Sequence, residues 1–158
     1  MSDKVAHISF LDKLIDLSPE NSLDRHEYRQ PSISLANLRR DIENLLNARI
    51  GWNQWQSQFE EIDVSILNYG LPDFSSMPFS SQSGKNHLCS IVEETLGRFE
   101  PRLFDVEVSV KEGEDEVDRT LRLRIQAVVV QSGVSEEIVF DSEVEPVNLG
   151  FKVSEGGR

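Results

Sequence analysis

Basic residues are scarce in this chain, histidine and cysteine scarcer still, and each shortage removes a class of function. Lysines and arginines number 16 against 28 aspartates and glutamates, for a formal net charge of -12 over 158 residues. A surface of that sign repels phosphate backbones, so nucleic acid is not an expected partner. The single cysteine, Cys89, cannot form an internal disulfide, and the 3 histidines build no Cys/His cluster of zinc-ligand spacing. No metal and no other cofactor is expected. His87 and Cys89 lie two apart on a predicted helix and point to nearly opposite sides, while His7 and His26 fall in terminal or polar stretches, so no nucleophile and base pair up. A glycine-rich phosphate loop is also missing. No apolar run approaches the ~20 residues of a membrane helix, and Met1 to His7 lacks the pattern of a secretory signal. The expected protein is cytoplasmic, with no direct membrane insertion.

What is present amounts to one domain with polar ends. The length suffices for a single core, and an apolar fraction of 38% beside 28% charged residues leaves a broad solvated surface. Residues 1–31 read as a short amphipathic helix and a polar tether, 32–153 as one α+β domain, and 154–158 as a disordered tail. In the first stretch Phe10, Leu11, Leu14 and Ile15 recur at helical spacing. A helix that short is marginal alone and has two destinations, its own domain or a groove on a partner. Ser34 or Ser32 caps the next helix, which runs to about Arg49 with Leu35, Leu38, Ile42, Leu45 and Leu46 on one face. Arg39 and Glu43, four apart, form a weak surface pair. Trp52, Trp55 and Phe59 are spaced as an aromatic core or interface set. The stretch Ile66 to Asp73 closes in a turn rich in the residues turns require.

Ser83 caps a further helix whose apolar stripe is Leu88, Ile91, Val92, Leu96 and Phe99. Pro101 stops it, leaving Glu100 at its end. Phe104, Val106, Val108 and Val110 then alternate with Asp105, Glu107 and Ser109, the period of a half-buried strand. A second strand, Thr120 to Val130, carries Arg122 and Arg124, which would face Asp105 and Glu107 across a hairpin closed by the acidic turn Lys111 to Asp118. Gln131, Ser132 and Gly133 turn into a third strand near Glu136 to Val144, with Ile138 and Phe140 on one face. Pro146 ends it, and a short fourth strand fits Val147 to Val153. Helices precede strands, so the predicted fold is α+β, with N-terminal helices packed on a small, mainly antiparallel sheet.

The chain pivots on Leu96 to Leu103, where helix gives way to strand and Glu100 and Arg102 project from a stiff corner. By residue type they are solvated or paired with each other. The run Arg98-Phe-Glu-Pro-Arg-Leu103, however, resembles the Glu-Pro-Arg signature of the baseplate wedge family of contractile tails. That family includes a phage wedge protein once called a lysozyme and a subunit of the type VI secretion baseplate. Leu38-Arg-Arg-Asp-Ile-Glu-Asn-Leu-Leu-Asn-Ala-Arg49 and Ser65-Ile-Leu-Asn-Tyr-Gly-Leu-Pro-Asp-Phe74 agree with it in order and spacing. The segment Phe10-Leu-Asp-Lys-Leu14 is similar to the secretion-system branch.

The resemblance implies a structural protein with no catalytic residue. Its implied partners are other baseplate wedge subunits, met through Glu100, Pro101 and Arg102, and sheath subunits, joined by strand addition at an open sheet edge. Arg49, Asn68, Tyr69 and Gly70 would support the corner. The alternative is a peptidoglycan hydrolase using Glu100 as its acid. That chemistry needs a second carboxylate, and the spacing selects none of Asp73, Asp105 and Asp141.

Overall fold

The structure, a computed structural model, describes residues 34–51, 58, 60–111, 120–131, 134–145 and 149–157. The expected N-terminal helix and tether, the Trp52, Trp55 and Phe59 set, most of the acidic hairpin turn, Ser132 with Gly133, and Pro146 lie outside them. Helix α1 spans Leu35–Asn47, and its stripe of Leu38, Ile42, Leu45 and Leu46 is buried, while Leu35 in the first turn is half exposed. Ser34 occupies the N-cap position with an extended backbone, but its side chain makes no capping bond. A single turn, α2 (Glu60–Asp63), leads into a 3-10 turn at Ile66–Asn68.

Helix α3 spans Gln82–Phe99 and buries Leu88, Cys89, Val92 and Leu96. Its cap is Ser81, two residues before the expected Ser83: the Ser81 hydroxyl accepts from the Gly84 N–H at 3.1 Å. Burial, with Glu93 nearby, pushes the Cys89 thiol up, so it stays protonated and packs as a small apolar side chain.

Four strands follow, β1 (Leu103–Lys111), β2 (Leu121–Gln131), β3 (Val134–Val144) and β4 (Phe151–Glu155), in the spatial order β1-β2-β3-β4 with every pair antiparallel. One face carries Leu123, Ile125, Ala127 and Val129 from β2 and Ile138, Phe140 and Val144 from β3, and it is covered by the helices. Helix α3 packs along β1 and α1 along β4. The α+β arrangement read from the sequence is therefore the observed one.

Two details of the sheet differ from the sequence reading. In β1 the buried residues are Leu103 and Val108, an odd number apart, which unbroken alternation cannot put on one face. A register shift between Phe104 and Glu107 inserts the extra residue, and Asp105 takes the left-handed conformation there with φ 48. The register of β1 on β2 sets the charge pairs: Arg122 stands opposite Lys111 and Arg124 opposite Ser109, so neither meets Asp105 or Glu107. Glu107 stands opposite Gln126 instead of an arginine, and Arg122 and Arg124 bond across to β3, to Glu143 and Asp141, each at 3.1 Å. At the other end, the Glu145 N–H donates to Gly150 O and the Leu149 N–H to Glu145 O, both at 2.9 Å, and the fourth strand begins at Phe151; Val147 and Asn148 lie outside the described residues. β4 instead runs on through Ser154 and Glu155, and the Gly156 N–H donates to Val139 O, which carries pairing into the expected disordered tail.

Candidate functional site: the corner and the two sheet edges

Helix α3 ends where the Glu100 N–H donates to Leu96 O, and the chain turns through Pro101 with the Leu103 N–H donating to Glu100 O at 3.1 Å. Within so tight a turn the Arg102 side chain folds back onto Glu100. Arg102 Nε donates to Glu100 Oε1 and Nη2 to Oε2, both at 2.6 Å, and Nη2 also reaches Asp41 Oδ2 on α1 at 2.8 Å. The two side chains are 9% and 7% exposed, so the pair is a buried one. Burial alone would push the Arg102 guanidinium down, but its hydrogen bonds to Glu100 and Asp41, and their charge, outweigh that and hold it above its ordinary value. A planar fork suits this task where an ammonium would not. The arrangement ties α1 to the α3–β1 corner, and Pro101 stands exposed at its tip.

Tyr69 joins this group. Its ring meets Phe99 edge-on at 5.4 Å, and its phenol is pushed up first by burial, then by the charges of Asp41 and Glu100, against the opposing pull of Arg102. Gly70 follows at φ 113, and a Cβ there would lie 2.6 Å from the carbonyl of Ala48, so no other residue fits. The close approach lets Leu71 N–H donate to Ala48 O and Ile50 N–H to Leu71 O, both at 3.0 Å.

Arg49 and Asn68 lie elsewhere. Arg49 donates to Leu46 O at 2.7 Å and to Leu149 O at 2.7 Å, with its guanidinium 4.8 Å from the Phe74 ring, and so fastens the end of α1 to the chain ahead of β4. The Asn68 amide donates to Asp63 Oδ1 at 3.2 Å. Asp41 is the member that sequence reasoning missed. Its only local signal is its position, three after Leu38 and four before Leu45, which puts it at the border of the buried stripe.

The sheet's two edges are treated differently. On β4, Asn47 of α1 donates to Phe151 O at 2.8 Å and accepts from Phe151 N–H at 2.9 Å, Glu43 accepts from Val153 N–H at 3.0 Å, and Arg39 donates to Val153 O at 3.0 Å. Helix side chains thus occupy the backbone groups that a fifth strand would use. The expected weak pair of Arg39 and Glu43, 3.5 Å apart, is the smaller part of what these residues do. No described strand pairs with the outer edge of β1. Beside it runs a groove of ≈ 350 Å³ lined by Ser90, Glu93, Glu94, Gly97, Leu103, Asp105 and Val106.

Among the described residues no group of His, Cys, Asp or Glu could hold a metal ion, and no helix is long and apolar enough to cross a membrane. A family model described as baseplate wedge protein gp25 matches residues 34–133, from α1 through the corner to the end of β2. A chain of the baseplate complex from the type VI secretion system is similar in structure, with a TM-score of 0.45 and 17% identity over 70% of this chain and 93% of that chain. No curated protein matches.

Proposed function

The chain belongs to the family of baseplate wedge protein gp25, and from that premise we propose that it is a structural wedge subunit of a contractile injection machine, the counterpart of TssE in type VI secretion. It works in the cytoplasm, docks with other wedge subunits, and templates sheath assembly by strand addition. Residues 1–31 act as a tethered anchoring segment. The open outer edge of β1 carries the reading: with β4 closed by α1, it is the edge of the described sheet that can pair with an incoming strand. The groove beside it is acidic through Glu93, Glu94 and Asp105, which suits a strand bearing lysine or arginine. At the corner, Arg102 and Glu100 hold Pro101 out toward a neighbouring subunit.

The hydrolase alternative is less favoured by the same geometry. Both Glu100 oxygens already accept hydrogen bonds from Arg102, which leaves neither placed to protonate a leaving group.

Gly97 supplies the test, because a Cβ there meets nothing within 4 Å and points a side chain into open space. Gly97→Trp should fold as well as the parent, glycine being the poorer helix former, and should still co-purify with wedge subunits. With its indole beside β1, sheath polymerisation on the baseplate should fail. Normal sheath length in that variant would refute strand addition at this edge. Release of soluble fragments from peptidoglycan by the purified protein, abolished by Glu100→Gln, would restore the enzyme reading.

A further inference from the structure

One short segment turns its apolar side chains outward. Val64 is 66% exposed, Ile66 86%, Leu67 53% and Tyr69 37%. Single exposed apolar residues are ordinary on a protein surface, but four within six consecutive positions make a contiguous patch of the kind that marks a contact.

The patch is also held still. The Ser65 N–H donates to Ile62 O at 3.0 Å and its hydroxyl to the same carbonyl at 2.8 Å, while the Leu67 N–H donates back to Ser65 Oγ at 3.3 Å. The Asn68 N–H donates to Ser65 O and the Tyr69 N–H to Ile66 O. Tyr69 is then braced on Phe99, beside the buried ion pair of the corner. A ridge that is already ordered forfeits little entropy on binding. Because the N–H groups of Ser65, Leu67, Asn68 and Tyr69 are consumed internally, the segment offers little backbone for strand pairing, and a partner has to bring side chains, as an amphipathic helix does.

Charge selects among the occupants. From Ile50 to Gly84 the sequence contains no lysine, arginine or histidine, while Glu60, Glu61, Asp63 and Asp73 flank the ridge. The chain's own apolar segment at residues 8–17 is a poor match, since Asp12 and Asp16 outnumber Lys13. A second copy, at -12, is worse. We propose that Val64, Ile66, Leu67 and Tyr69 form a docking ridge for a basic amphipathic helix of another baseplate subunit, an assignment that rests on the structural reading above and names the surface through which the corner is coupled to its neighbour.

The test places the photo-crosslinker p-benzoylphenylalanine at position 66 of the full chain, expressed in its native cells, and identifies the captured peptide by mass spectrometry. The expected product is a segment of a different baseplate subunit with apolar residues at helical spacing and a net positive charge. Capture of residues 8–17 of this chain, of a second copy, of a neutral or acidic segment, or of nothing overturns the proposal. In parallel, Ile66→Asp and Leu67→Asp should leave the melting temperature unchanged and reduce retention of that subunit by about 10-fold or more, the size expected of a central apolar contact. Full retention by both variants overturns the ridge while baseplate membership stands. If wild type retains no baseplate subunit at all, the proposed function fails with it.

Discussion

The two edges of this sheet meet opposite treatments, and the difference lies in which helix side chains come within reach of them. Arg39, Glu43 and Asn47 are spaced four apart, so they share one stripe of α1 and rise about 6 Å per step. The residues of β4 whose backbone groups point away from β3, Phe151 and Val153, are two apart and rise about 6.7 Å. The near match lets a helix run beside a strand and satisfy its free N–H and C=O groups in turn, Asn47 with Phe151, then Glu43 and Arg39 with Val153. No described strand pairs with the outer edge of β1. Its neighbour α3 presents Ser90, Glu93, Glu94 and Gly97 across an open groove, and the edge is broken by the bulge at Asp105. An uncovered edge is a liability that folds usually suppress. The proposed strand addition would use the edge that no described strand occupies.

The largest effect should come from opening the closed edge. Asn47→Leu keeps the helix and removes both bonds to Phe151, leaving a backbone donor and acceptor unpaired at roughly 1 to 3 kcal/mol each before relief by water. Urea denaturation should show a loss of about 2 to 3 kcal/mol, and size-exclusion chromatography should show association that grows with concentration as β4 becomes available. An unchanged midpoint would mean that the seal is incidental.

A smaller effect is expected at the open edge. Asp105 tolerates φ 48 because its short polar side chain is at home in the left-handed region, where a β-branched residue is not. Asp105→Val should therefore cost about 1 to 2 kcal/mol and favour straightening of the bulge. Straightening would turn either Leu103 or Val108 out of the core, so hydrogen exchange should rise along β1 and not along β4. Equal exchange on both edges would show that the bulge does not set the register.

How much of this was legible follows from the distance between partners. The stripe Leu38, Ile42, Leu45 and Leu46 and the stop at Pro101 are local signals, and both appear where the sequence places them. The order of helices before strands, and hence the α+β class, follows from the same local periods. The bulge was hidden because Phe104, Val106, Val108 and Val110 read as unbroken alternation, and one inserted residue changes nothing in composition. The register of β1 on β2 was equally hidden: it sets Arg122 and Arg124 opposite Lys111 and Ser109, so they find their acids on β3. The corner's internal pairing was read as one alternative for Glu100 and Arg102, but the contribution of Asp41, 61 residues away, was not. The closure of β4 by residues more than 100 positions earlier has no local signature either. Position along the chain reports what a residue is next to, whereas these contacts depend on how three elements stack.

The smallest effect concerns what stitches β1 to the rest of the sheet on its outer face. Asp141 of β3 accepts from Lys111 of β1 at 2.9 Å and from Arg124 of β2 at 3.1 Å, so one carboxylate spans three strands. Partial burial pushes its carboxyl up, but the bonds and charges of Lys111 and Arg124 outweigh that and hold it below the usual 3.8. A carboxyl whose folded value lies below its unfolded one adds stability above the unfolded value and loses it as pH falls through the folded one. The stitch is therefore present at neutral pH and fades below about pH 4. Because the group is partly exposed, Asp141→Asn should cost no more than about 1 kcal/mol at pH 7, and the difference between variant and parent should shrink at pH 3. Urea midpoints at the two pH values measure this directly. A gap that stays constant with pH would assign the effect to packing and leave β1 held to the sheet by its backbone ladder with β2 alone.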